Sequence, residues 1–255
     1  MIPSTFRSLP IALSLLVIIL QLIAWLHITP LTLTTPGTFG KALLSTLEMF
    51  LIYALLWNGW RIKSWLKTQN KDCHLVSKAV LLSLTLCTFG DVVNRNYFNL
   101  TYTYDTVIEH SYLADSVWFF LPGYATFIYA AWRACGTPGP SYLVAASILG
   151  VVSFAGMVLP GTSTYVFLTT GAYGPVITCM IPAGVWIYAS FGATYVALGA
   201  VLAAVADGIL GQFLLFGHGW FPGVAYVNLV VYFISQALIQ QLPLTMFEAT
   251  MKRKK

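Results

Sequence analysis

Two aspartates stand where an apolar chain has least use for them: Asp91 in "LTLCTFGDVVNRNYF" and Asp207 in "VLAAVADGILGQFLLF". A carboxyl desolvated among hydrocarbon favours its neutral form. One beside a cation, as Asp91 is expected to be beside Arg95 four residues on, stays ionised. Two carboxyls held in opposite protonation states are an acid and a base for one reaction. An ionised Asp at a helix centre costs about 2.5–3.5 kcal/mol on insertion scales. A polar clasp between helices returns only about 0.6 kcal/mol. That balance favours a working role for Asp207; for Asp91, a local ion pair with Arg95 is the competing explanation.

Further polar side chains can join them. Asn228, Tyr232, Gln236 and Gln240 recur every four residues and so share a helix face, which suits either packing or the orientation of a polar substrate or a water. Glu48 is another intramembrane acid, with Lys41 or a hydroxyl as its expected partner. Asn94 adjoins Arg95. Pro122 and Gly123 predict a kink or widened groove that Tyr124 and Tyr129 can line. Asp115 fits a helix N-terminus, and Gly199, Gly208 and Gly211 fit close helix packing.

These residues must be placed by elements that live in lipid. The chain has 255 residues, 58% hydrophobic and 8% charged, and its mean hydropathy is +0.78. Soluble domains carry about a quarter charged residues. Runs long enough to cross a bilayer as helices fall at about 9–29, 41–60, 74–95, 114–134, 142–160, 164–189, 193–216 and 223–247. The expectation is an all-α polytopic bundle of about eight transmembrane helices forming one domain over 1–255. The first run ends in "WLHITPLTLTTPG" without a cleavage pattern and reads as a retained helix. "GAYGPVITCMIPAG" (171–184) is a candidate discontinuity.

With the N-terminus cytoplasmic, the inside collects Arg7, Arg61, Lys63, Lys67, Lys71, Lys78, Arg133, Lys252, Arg253, Lys254 and Lys255, and the outside only Lys41 and Arg95. This is the asymmetry of positive-inside sorting, with both termini inside. The net charge of +5 then reflects topology and anionic lipid rather than nucleic acid. The expected location is a cell membrane, the inner one in a bacterium.

Cys73, Cys87, Cys135 and Cys179 form no CxxC pair, and His27, His74, His110 and His218 are scattered without an HExxH. No metal and no cofactor is expected. GxSxG, P-loop and mid-span Schiff-base lysine signals are missing as well. The stretch 95–113 reads as an outer loop rich in Tyr and acids, with a sequon at Asn99-Leu100-Thr101. The Asp91 and Asp207 helices, each with its successor, look like two related pairs, with Tyr97 and Phe98 after Asp91 and Phe213 after Asp207. This would be a parallel 4+4 repeat about the membrane normal.

"GAVLAAVADGILGQF" (199–213) followed by "NLVVYFISQALI" (228–239), with "SKAVLLSLTLCTFGD" (77–91) upstream, resembles the YhhN-type lysoplasmalogenases. Where that family often carries a His towards the end of the fourth helix, Ala131 stands here. The resemblance implies hydrolysis of the vinyl ether bond of lysoplasmalogens to a fatty aldehyde and glycerophospho-ethanolamine or -choline. It maps the catalytic aspartates to Asp91 and Asp207. The chemistry suits the residues: a vinyl ether yields to acid through an oxocarbenium ion that water captures. Arg95 would lie near the phosphate and tyrosines near the ammonium. The partners implied are a lysophospholipid substrate and membrane lipids. A proton-coupled carrier of lipids or small molecules using the same acids is the alternative reading.

Overall fold

The computed structural model describes residues 2–26, 39–95, 112–156, 163–211 and 223–253. Among them, eleven helical segments occur and no strand: α1 (Thr5–Trp25), α2 (Phe39–Gln69), α3 (Lys71–Asn94), α4 (Tyr112–Asp115), α5 (Val117–Cys135), α6 (Pro140–Gly156), α7 (Thr164–Thr178), α8 (Met180–Phe191), α9 (Thr194–Ile209), α10 (Val224–Ile239) and α11 (Leu242–Arg253). Only Ser116 separates α4 from α5, Cys179 separates α7 from α8, and Gln240–Gln241 separate α10 from α11. The segments therefore make eight rods, as the hydropathy pattern predicts. The protein is a membrane protein. Five rods (Thr5–Trp25, Ala42–Gln69, Lys71–Asn94, Thr164–Phe191 and Val224–Arg253) are long and apolar enough to cross a bilayer, and α6 and α9 are shorter apolar helices. Ile11, Leu15 and Ile19 on α1 and Leu143, Ile148 and Val151 on α6 face outward, the surface a lipid solvent calls for.

Boundaries depart from the sequence expectation for local reasons. α2 runs on to Gln69 through Arg61, Lys63 and Lys67, because long basic side chains tolerate a helix that emerges from lipid. α3 then starts at once, its first turn capped by Asn70, whose side chain accepts the Cys73 N–H at 2.9 Å. The segment 171–184 does contain a junction, at Cys179 between Pro175 and Pro182, but the rod continues through it. The α10–α11 junction follows from Pro243, which has no N–H to return to the Ile239 carbonyl.

α3 packs on α5, and α9 on α10, more extensively than other pairs. Small residues allow it. A Cβ on Gly90 would meet the Phe120 ring at 2.6 Å, one on Gly123 would meet Cys87 Sγ at 2.9 Å, and one on Gly199 would meet Leu238 Cβ at 2.6 Å. Gly208 and Gly211 are different from the packing role expected of them. A Cβ at either would meet nothing within 4 Å among the described residues, and both border a cavity.

The starts of α1 and α3 and the ends of α2, α5 and α11 carry the basic residues. Arg7 pairs with Glu248 at 2.6 Å and Arg61 donates to Thr5 Oγ1 at 3.1 Å, so the two terminal helices open on one shared basic face. His27, His110, His218, Tyr97, Phe98, Phe213, the sequon at 99–101, Lys254 and Lys255 lie outside the described residues.

Candidate active site

Asp91 sits one turn from the end of α3, buried, and accepts a 2.7 Å hydrogen bond from Tyr232 Oη of α10. Asp207 sits in the last turn of α9, and its Oδ2 accepts a hydrogen bond from Tyr173 Oη of α7. A second phenol, Tyr124 of α5, packs against Tyr173 and accepts the Gln236 Nε2–H at 3.3 Å. The three tyrosines are locked around Phe120. Its ring lies 6.0 Å from that of Tyr232, edge-on, and 6.3 Å from that of Tyr124, while Tyr124 lies 6.3 Å from Tyr173. The close approach at Gly90 holds Phe120 there.

Both aspartates open onto one cavity of about 460 Å³, whose wall also includes Asn94, Arg95, Asn228 and Tyr232. A second, apolar chamber of about 300 Å³ is lined by Val117, Leu149, Val152 and Ile177, and it shares Phe120, Leu210 and Asp207 with the first. Asp207 therefore stands at the boundary between a polar and a hydrocarbon space. Asn94 Oδ1 and Asn228 Oδ1 are buried acceptors with no partner among the described residues. A buried carbonyl without a donor is costly, so these two suit a ligand that brings one.

Arg95 corrects one expectation. It ion-pairs not with Asp91 but with Glu48 of α2, whose Oε1 also accepts Gln21 Nε2–H at 2.8 Å. Glu48 and Asp91 are both buried; Asp91 is satisfied by the Tyr232 hydroxyl, whereas the Glu48 carboxylate takes the Arg95 cation. Glu48 thus takes Arg95 and Gln21 as partners and holds Arg95 rather than lining the cavity, while the Lys41 side chain, also expected near it, lies outside what the structure describes. Tyr129 is not brought to the site. Half exposed, it lies beside Trp132 in a groove with Lys78 and Arg133, towards the basic face. Gln236 is behind the site, buttressing Tyr124, and Gln240 lies a turn further away, bonded to Asn58. Asp115, at the end of α4, accepts a hydrogen bond from Tyr165 Oη.

Tyr173, Phe120 and Gln21 are site or supporting residues that the sequence reading did not single out. Tyr173 lies inside the flagged "GAYGP" stretch, and a tyrosine in a proline-interrupted helix was the available signal. Among the described residues, no group of three or more His, Cys, Asp or Glu comes together as a metal site.

A family model described as the YhhN family matches residues 40–242, which spans α2 through the start of α11 and includes every residue of the two chambers. Neither the curated proteins nor the solved structures give a significant match to the chain.

Proposed function

The chain belongs to the YhhN family, the lysoplasmalogenase family, and from that premise we propose that it hydrolyses the vinyl ether bond of lysoplasmalogens, with Asp207 as general acid and Asp91 as general base. The observation that carries the proposal is the position of Asp207 on the wall shared by the polar and apolar chambers. A lysoplasmalogen laid across that wall puts its alkenyl chain among Val117, Val152 and Ile177 and its glycerophosphate beside Arg95, Asn94 and Asn228. The vinyl ether, at the junction of chain and headgroup, then falls beside the two carboxyls.

The protons balance over the cycle. Asp207 gives its proton to the outer alkene carbon, leaving an oxocarbenium ion that the Asp91 carboxylate stabilises. Water adds to the cationic carbon while Asp91 takes its proton. The hemiacetal then collapses: Asp207 recovers a proton from the new hydroxyl, and Asp91 delivers its own to the departing glycerol oxygen. Fatty aldehyde and glycerophospholipid headgroup leave, one water is consumed, and both carboxyls return to their starting states. Tyr173, backed by Tyr124, orients Asp207, and Tyr232 orients Asp91. The Asn94 and Asn228 carbonyls accept from glycerol hydroxyls or an ethanolamine ammonium, and Arg95, steadied by Glu48, faces the phosphate. No cofactor takes part. In this reading the protein lies in a cell membrane with its basic face cytoplasmic.

The test is aldehyde release from lysoplasmenyl-ethanolamine by the purified protein. Asp207→Asn and Asp91→Asn each lower kcat by about 10²–10⁴-fold, the range of general acid–base catalysis. Lipid flux across liposomes without bond cleavage would replace the hydrolase with the carrier.

A further inference from the structure

Behind the aspartates, a thread of buried polar groups runs the length of the bundle to the basic face. Beside Asp207 stands Tyr173, which donates to it; Tyr124 packs on Tyr173 with ring centroids 6.3 Å apart, and Gln236 Nε2–H meets Tyr124 Oη at 3.3 Å. One turn along α10 lies Gln240, whose Oε1 accepts from Asn58 Nδ2 at 2.9 Å. The same Nδ2 donates to the Phe6 carbonyl at 3.1 Å. Gln241 Nε2 donates to that carbonyl too, at 3.1 Å, and the Gln241 carbonyl accepts from Thr245 Oγ1 at 3.2 Å. Thr245 Oγ1 is 2.7 Å from Tyr195 Oη, which accepts from Arg7 Nη2 at 3.4 Å, and Arg7 is paired with the half-exposed carboxylate of Glu248.

Side chains that serve only to clasp helices pair with one another. These do so incompletely. Gln236 Oε1, Gln240 Nε2, Asn58 Oδ1 and Gln241 Oε1 are buried without a partner among the described residues, on side chains at most 4% exposed. Four such atoms in one column are stable only if water completes them. The gap between Gln236 and Gln240 shows how. It is flanked by an acceptor on one side and a donor on the other, at the i,i+4 spacing one water can bridge. The α10–α11 junction that Pro243 imposes falls at Gln240–Gln241, on this column.

We infer that this column is a water-bearing path linking the two-aspartate cavity to the basic face, with Asn58, Gln240 and Gln241 holding the waters and Glu248 at its mouth. A lysolipid that fills both chambers displaces the water in them, while each turnover consumes one. The path supplies that molecule and equilibrates the carboxyl protons with the basic side. Its use in hydrolysis rests on the function proposed above; its existence does not.

The test pairs infrared spectroscopy with turnover, using the full-length protein. After rapid transfer from H₂O to D₂O, the carboxylic C=O band that Asp207→Asn removes shifts within the mixing time in the wild type. In the double variant Asn58→Leu/Gln240→Leu, which makes both partners of the central bond apolar and so spares the fold, the shift slows at least tenfold and kcat falls with KM unchanged. Asn58→Ser, which keeps a hydroxyl and adds room for water, retains the wild-type rate. Wild-type exchange and turnover in the double variant would overturn the path and leave the hydrolase reading intact. Slowed exchange in a protein that cleaves no vinyl ether would overturn the hydrolase reading and leave the path. A wild type with no exchangeable carboxylic band would also overturn the path, since there would be no buried proton to exchange.

Discussion

Tyr173 is the residue with the most to say about Asp207, because its hydroxyl reaches the carboxyl from a helix that no sequence spacing connects to α9. A hydrogen bond to a charged or developing-charge group is worth about 1.5–3 kcal/mol. Tyr173→Phe is therefore expected to lower kcat by about 10–100-fold with little change in KM, as read by aldehyde release. Arg95 and Glu48 make a separate prediction. Removing one member of a buried ion pair costs about 3–5 kcal/mol because the other charge is left alone, whereas replacing both with apolar residues costs much less. Arg95→Met should lower the thermal unfolding midpoint in detergent markedly, and Arg95→Met/Glu48→Met should recover most of the loss. An equal loss in single and double variants would mean the pair is not the reason Arg95 is held. At this scale the sequence was informative about residue types and poor about partners. Glu48 and Asp91 were visible as intramembrane acids and Arg95 as a cation at the outer end of its helix, but which acid would claim the arginine depended on α2 packing beside the end of α3, and no local spacing encodes that.

The helices themselves were legible because a bilayer leaves a chain few options. Long apolar runs must close their backbone hydrogen bonds internally, so hydropathy alone locates the rods. Their ends were less legible. α2 extends through a basic segment that hydropathy reads as water-exposed; prolines mark the junctions at Cys179 and Gln240–Gln241, whereas nothing in the sequence marks the one at Ser116. Two glycines on α9 separate packing from cavity. A Cβ at position 199 strikes α10, whereas at 208 it meets nothing among the described residues. Gly199→Ala should cost about 1–3 kcal/mol through overpacking. Gly208→Ala should leave stability unchanged or raise it by up to about 1 kcal/mol through helix propensity. Thermal unfolding of the two purified variants gives the comparison, and equal destabilisation would contradict the packing described.

Over the whole molecule, the basic residues at the starts of α1 and α3 and the ends of α2, α5 and α11 lie on the side where Arg7 pairs with Glu248, and the aspartate cavity, with Arg95 in its wall, lies towards the other. Each aspartate takes its hydroxyl from a different helix across the bundle: Asp91 from Tyr232 of α10, and Asp207 from Tyr173 of α7. Reporters fused to the N- and C-termini should both read cytoplasmic, as positive-inside sorting requires.

The central claim is that a carboxylic acid in this bundle protonates an alkene carbon. Hydrolysis of lysoplasmenyl-ethanolamine in D₂O, with the aldehyde reduced at once to the alcohol, measures it directly. One deuterium is expected on the carbon next to the former vinyl ether carbon in every product molecule, with loss of that product in Asp207→Asn. Aldehyde released without deuterium at that carbon, or formed undiminished by Asp207→Asn, would contradict it.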